Sequence, residues 1–193
     1  MNFILASASE RRKELLSRLI SNYKVIVSDF DESSVNFNGD VEHYVKTLAL
    51  GKAKAVEQLV NNEAIIIAAD TIVVLDDKIL GKPKDKRDAF NMLKSLSGKS
   101  HKVYTGMAII NVTKSSYLVD SVCTKVKFSE ISDNEILQYI DSGEPMDKAG
   151  AYGIQGCGGI FVEKINGCYY NIVGLPINKL KRILNKFDVG EKS

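Results

Sequence analysis

The chain has 193 residues, with 26 Lys+Arg against 24 Asp+Glu, three Cys, two His and no Trp. That length suits one ordinary domain, or two small lobes around a cleft, and is enough to bury a core. A hydrophobic share of 45% excludes wholesale disorder, the net charge of +2 argues against a nucleic-acid binder working through bulk charge, and two histidines leave little for a multi-His zinc site.

No run approaches the about 20 apolar residues of a membrane helix. The opening MNFILASASERRKELL carries its charges after the apolar stretch, the reverse of a secretory signal. Cys123, Cys157 and Cys168 are odd in number and lack C-x-x-C spacing, so neither a disulfide framework nor a zinc knuckle is expected. The expected setting is a reduced cytoplasm, with no membrane and no nucleic-acid partner.

Residues 2–6 read as a strand and Glu10–Ile20 as a helix capped by Ser9. Tyr23–Ser28 is a second strand, followed by the acidic loop Asp29–Glu32. From Val41 to Val60 apolar residues recur at helical spacing. Ala64–Ala69 is a continuous apolar run, the signature of a strand covered on both faces, which is expected to end at Asp70-Thr71. Ile72–Leu75 and Lys78–Leu80 read as a tight hairpin about Asp76-Asp77, and Asp85–Leu96 as a helix ending near Gly98. Lys102–Val112 and Tyr117–Phe128, rich in Val, Ile, Thr and Tyr, suggest a long antiparallel pair. Ser132 caps a short helix through Ile140. A glycine-rich stretch, 143–159, precedes strands at Ile160–Lys164 and Tyr169–Val173, and a last helix runs from Pro176 to near Phe187. Residues 190–193 read as a frayed tail. The whole, 1–193, reads as one intertwined α/β unit.

Three segments carry candidate chemistry. In Ser7-Ala8-Ser9-Glu10-Arg11-Arg12-Lys13, between strand and helix, hydroxyls, helix N-terminal N–H groups and arginines can hold phosphate oxygens; the alternative is a capped helix with solvated cations. Asp70, at the end of a buried strand, stands where open α/β sheets bind ligands and can hold Mg²⁺ or activate water; the alternative is an Asx-turn. Lys82 adds a cation, and Glu32 in the acidic loop adds a carboxylate, though taken alone Glu32 reads first as an exposed loop acid. The third segment, Gly143–Gly156, gathers glycines, acids and Gln155 in a loop of a length that is usually functional; a rigid turn system is the alternative.

Two decoys fall away. Leu96-Ser97-Gly98-Lys99-Ser100 lacks the first glycine of a P-loop, where Leu93 stands, and follows a helix instead of opening one. Gly156-Cys157-Gly158-Gly159 fails the G-x-G-x-x-G spacing at Phe161. His43 and His101 have no convincing partners for nucleophilic catalysis.

Taken together, these segments resemble the Maf family of nucleotide pyrophosphatases: LASASERRKELL at 5–16, AADTIVVLDDKILGKP at 68–83, LSGKSHKVYTG at 96–106 and SGEPMDKAGAYGIQGCGGIFVEKINGCYYNIVGLP at 142–176. The last segment is similar to the branch hydrolysing dTTP and UTP, as distinct from the branch acting on 7-methyl-GTP. The S-x-R-R element is Ser9-Glu10-Arg11-Arg12, with Glu10 in place of the proline common there. The resemblance implies a mixed α/β (α+β) fold of the Maf/inosine-triphosphatase type, an elongated mixed sheet with two lobes around a central cleft, often dimeric.

It also implies hydrolysis between the α- and β-phosphates of a nucleoside triphosphate. Asp70 would be the general base, with Glu32 and Asp70 holding Mg²⁺ or Mn²⁺. Arg11, Arg12, Lys52 and Lys82 would neutralise the triphosphate, with a hydroxyl from Ser9. Arg11, Thr71 and Gln155 match positions associated with substrate choice, and Glu144, Asp147 and Lys148 would complete the pocket. The chemistry agrees: a triphosphate carries roughly four negative charges, so its hydrolysis needs fixed cations and a metal to stabilise the departing pyrophosphate. Two other readings remain, a pyrophosphatase for noncanonical purine triphosphates and a nucleotide-binding regulator of septum formation that need not hydrolyse.

Overall fold

The structure is a computed structural model that describes residues 2–61 and 63–188; the 190–193 tail lies outside the described residues. Asn2–Leu5 forms strand β1. Ser9 then turns the chain into helix α1, Glu10–Ser17, its side chain accepting the Arg12 N–H at 3.4 Å. Leu19 N–H already bonds back to Leu16 in a tightened turn, so α1 closes before the expected Ile20. Strand β2 is only Lys24–Val25, shorter than the run Tyr23–Ser28, and pairs parallel with β1.

Helix α2, Val41–Glu57, starts at Asp40, whose carboxylate accepts the His43 N–H at 2.9 Å. Strand β3, Ala64–Leu75, is followed by β4, Lys78–Leu80, across a turn in which Asp76 and Asp77 both have positive φ. That is the backbone a two-residue hairpin demands. Helix α3, Lys86–Leu96, is capped by Asp85, and Gly98, with a positive φ, follows its end as expected. Strands β5, Ser100–Asn111, and β6, Ser116–Phe128, are sheet neighbours. Ser132 and Glu135 form a capping box at the start of α4, Asp133–Asp141. Strand β7, Val162–Asn166, α5, Tyr169–Val173, and α6, Ile177–Asp188, complete the chain.

Among the described residues one seven-stranded sheet runs in the order β2-β1-β3-β5-β6-β7, with β4 paired to β3. It is mixed: β1 is parallel to β2 and β3, whereas β4 and β7 pair antiparallel with β3 and β6. The mixed α/β class is as expected.

Two further expectations give way. Strand β3 does not end at Asp70 but passes through it unbroken to Leu75, so Asp70 is a mid-strand residue and makes no Asx-turn. The burial of Ile72, Val73, Val74 and Leu75 sustains the strand past the polar pair. Tyr169–Val173 is helical, although Tyr, Ile and Val favour strands. Buried Asn171 donates to the Val103 carbonyl and to Thr124 Oγ1, both at 2.9 Å, while Thr124 Oγ1 also grips the Cys168 backbone. These bonds curl the segment and override local propensity.

The chain divides into two compact units, one holding the residues up to Asp70, Thr105–Val122 and the segment from Gly174, the other Thr71–Tyr104 and Cys123–Val173. The first packs Ala49, Ala53 and Val56 of α2 against Ile4, Ile66, Ala68, Ala108 and Ile110. The second gathers Leu93, Leu96, Val126, Phe128, Ile136, Tyr139 and Phe161.

His101 belongs to this second core. Its Nε2 lies 2.8 Å from the Tyr152 hydroxyl and its ring stands edge-on to Phe128. Burial pushes its pKa down from 6.5 to about 4. The unfolded chain therefore takes up a proton at higher pH than the folded one, and stability is lost as pH falls from about 6.5 to about 4, by roughly 3 kcal/mol in total. His101→Gln, which cannot titrate, is expected to lose about 2 kcal/mol less between pH 7 and pH 4.5 in urea unfolding. Equal losses in both proteins would remove His101 from the acid response.

Candidate functional site

In the first unit the acidic loop is folded by its own side chains. Asp31 accepts the Ser33 hydroxyl at 2.7 Å and the Ser33 N–H at 2.9 Å, the former chiefly holding its pKa below the ordinary carboxylate value. The Phe30 ring fills the space over Gly51 on α2, where a Cβ would lie 2.3 Å from Phe30 Cζ. This docking brings the next residues to α2. Glu32 Oε1 then lies 2.8 Å from Lys52 Nζ, and Lys52 donates to Asp70 Oδ1 at 2.5 Å. The Lys52 and Asp70 side chains are only 13% and 10% exposed, whereas Glu32 reaches solvent at 58%. One ammonium thus sits between two carboxylates, with the inner pair largely desolvated.

Arg12 borders this group. Its Nε donates to the Gly174 carbonyl at 2.9 Å and its Nη1 to Ser7 Oγ at 3.4 Å. Burial lowers its pKa; the charges of Asp70 and Glu32 oppose that shift and Arg11 adds to it. Arg11, Arg12, Lys52, Glu32 and Asp70 therefore share one electrostatic neighbourhood, and Ser9 supports it by capping α1. Tyr44 on α2, which in sequence is one more apolar position of the helix, also belongs to this neighbourhood. Burial pushes its phenol pKa up, as do the charges of Asp70 and Glu32, against Lys52. The i, i+4, i+8 spacing of Tyr44, Leu48 and Lys52 was the available signal.

The remaining expected residues lie in the second unit. Thr71 follows Asp70 on β3, and the strand period turns the two side chains to opposite faces. Lys82 is exposed just beyond β4. Lys148 Nζ donates to Asp147 at 2.5 Å and to the Glu144 carbonyl at 3.0 Å, so this pair neutralises itself. Glu144 Oε1 accepts the Tyr139 hydroxyl at 2.8 Å and the Gly158 N–H at 3.3 Å, while Oε2 accepts the Cys157 N–H at 2.9 Å. Burial pushes the Glu144 pKa up, but these bonds and Lys148 outweigh it and leave the group below its ordinary value. Gln155 is exposed on a turn closed by Gly156 N–H to the Gly153 carbonyl at 3.3 Å.

Glu32 and Asp70 offer hard oxygen donors already facing one cation, and no group of three or more His, Cys, Asp and Glu side chains suited to a metal occurs among the described residues. Magnesium is ordinarily held by one or two carboxylates together with substrate phosphates and water, so this donor pair fits such an ion bound with its substrate. No described helix is long and apolar enough to cross a membrane.

Residues 2–187 match the family model described as Maf-like protein. A relative from Clostridium beijerinckii, named dTTP/UTP pyrophosphatase, is 61% identical over 186 residues, covering 96% of this chain and 99% of that one. One from Clostridium novyi bearing the same name is 57% identical over 189 residues, covering 98% and 99%. Among solved structures, the Staphylococcus aureus Ham1 protein aligns at a TM-score of 0.42 and 15% identity, over 66% of this chain and 72% of that one.

Proposed function

Because the chain belongs to the Maf-like protein family, we propose that it hydrolyses dTTP and UTP to the monophosphate and pyrophosphate. The observation that carries this reading is the Glu32–Lys52–Asp70 group beside Arg12, which presents carboxylate and cationic groups together. Water adds across the linkage between the α- and β-phosphates and its proton passes to Asp70. In this reading Oδ2 of Asp70 takes the proton, since Lys52 engages Oδ1. Arg11, Arg12, Lys52 and Lys82 offset the charge of the triphosphate and of the pyrophosphate as it departs. Mg²⁺ or Mn²⁺, held by Glu32 and Asp70, would add Lewis-acid charge at the phosphate oxygens. Ser9, Thr71, Asp147 and Lys148 belong to the binding surface in this reading, and Gln155, with one amide donor pair and one acceptor, meets the pyrimidine edge. A reducing cytoplasm suits the free, exposed Cys123 and Cys157.

Pyrophosphate release with Mg²⁺ across a panel of nucleoside triphosphates tests the assignment. dTTP and UTP are expected to lead. A preference for inosine or xanthosine triphosphate would move the enzyme to noncanonical purines, and binding without turnover would leave a nucleotide-responsive regulator. Gln155→Ala is expected to relax the preference for UTP over CTP by about tenfold, more than it slows dTTP; an unchanged ranking would remove Gln155 as the base reader.

A further inference from the structure

The Glu144 carboxylate is held by protein groups through both oxygens. Both of its oxygens accept bonds, from the Tyr139 hydroxyl and from the N–H groups of Cys157 and Gly158. Tyr139, on α4, is itself bound a second time, its oxygen accepting the Gly153 N–H at 3.1 Å. The backbone is thus pinned at Gly153 on one side of Gln155 and at Cys157 and Gly158 on the other, and the Gly153–Gly156 turn closes between the two pins. Glycine is required for this wrapping. A Cβ on Gly156 would lie 2.4 Å from the Glu144 carboxylate oxygens, and one on Gly158 would lie 2.6 Å from the Tyr139 hydroxyl. The loop is therefore moulded around one carboxylate–phenol pair, and the exposed side chain at its tip is Gln155.

We propose that Tyr139 and Glu144 are positioning residues for substrate choice: they hold the 153–158 loop so that Gln155 meets the pyrimidine edge in a fixed orientation, and Glu144 acts through the loop instead of touching the nucleotide. This rests on the reading of Gln155 as the base-contacting residue. An exposed turn with no anchor would lose conformational freedom each time it engaged a base, and that cost would reduce affinity and blunt discrimination between UTP and CTP, whose bases differ only at the edge being read. The pins remove the cost beforehand. Their effect therefore falls on binding and selectivity, and the proton-accepting carboxylate on β3 is not part of it.

The test is a double-mutant cycle on Tyr139→Phe and Gln155→Ala, measuring kcat and KM separately for UTP and CTP. Tyr139→Phe is expected to raise KM for UTP about fivefold, with a smaller fall in kcat, and to lower the UTP:CTP preference by about the same factor. Once Gln155 is already Ala, adding Tyr139→Phe should lower the preference no further. Equal losses on UTP and CTP from Tyr139→Phe, or fully additive losses in the double variant, would overturn the proposal and leave the pair a structural tether. Glu144→Gln, which sets an amide donor against the N–H of either Cys157 or Gly158, should reproduce the Tyr139→Phe pattern and serves where the phenylalanine variant folds poorly. If Gln155→Ala alone leaves the ranking intact, the base-reading role fails first and the positioning role falls with it; if Gln155→Ala relaxes the ranking and Tyr139→Phe does not, only the positioning role fails.

Discussion

Asp70→Asn is expected to lower kcat for dTTP by about a thousandfold while nucleotide binding persists. The amide keeps the shape of the carboxylate and retains an oxygen to accept from Lys52, so β3 is not asked to rearrange around it. What is lost is the capacity to take a proton, which general-base catalysis values at about 10² to 10⁴ in rate, and one of the two charged carboxylates offered to Mg²⁺, a loss that saturating Mg²⁺ offsets. Removing one negative charge also leaves Lys52 with Glu32 as its remaining carboxylate partner, and a less compensated cation attracts a polyphosphate more strongly. Affinity for dTTP should therefore hold or rise. Pyrophosphate release at saturating Mg²⁺, alongside nucleotide titration by calorimetry, separates the two effects. Near-normal turnover would remove Asp70 as the base. Loss of binding together with turnover would instead make holding the metal and its bound triphosphate the main role of Asp70.

Much of the fold was legible because local rules and tertiary packing agree. Ser9, Asp40, Asp85 and Ser132 each cap a helix where hydroxyl or carboxylate side chains precede a periodic apolar run. The Asp76-Asp77 hairpin likewise needed only its two turn residues. The misreadings occur where distant partners decide. Nothing near Tyr169–Val173 reveals that Asn171 will bond Val103 and Thr124, so the β-branched and aromatic residues point to a strand. At Asp70 a charged residue looked like a terminus, whereas Lys52 and the β3 ladder allow it to sit inside the strand. The candidate site shows the same division. Asp70, the arginines and Glu32 stand out as residue types, but the pairing of Glu32 with Lys52 depends on Phe30 docking at Gly51, a contact across the 31–50 segment with no sequence signature. Glu144 was visible as an acid in a glycine-rich loop. That its oxygens turn inward to Tyr139 and two backbone N–H groups was not, since an acid in a loop reads equally well as a ligand.

Gly106 offers the sharpest test of how α2 is held. It lies within β5, and a Cβ placed on it would be 2.2 Å from the Val45 carbonyl oxygen, 2.5 Å from the carbonyl carbon and 2.9 Å from the Lys46 nitrogen. These are backbone atoms of α2, so no side-chain rotation relieves the clash, and the helix itself must move by about 1 Å to restore contact distance. Ala49, Ala53 and Val56 are fully buried on that helix, and displacement opens gaps on the face they fill. Overpacking of this kind costs typically 1–3 kcal/mol, and an unyielding backbone neighbour puts Gly106→Ala at the upper end, about 3 kcal/mol. For a chain of this size that is a fall in Tm of about 6–12 °C. The same helix carries Tyr44 and Lys52, so the displacement also pulls the ammonium off Asp70 and Glu32, and kcat should fall by about tenfold or more at a temperature where the variant remains folded. Gly81→Ala is the matched comparison: nothing lies within 4 Å of a Cβ there, and its Tm should stay within about 1 °C of the parent. If Gly106→Ala melted with the parent and kept full activity, α2 would not rest on β5 at this point, and the placing of Lys52 between its two carboxylates would need another cause.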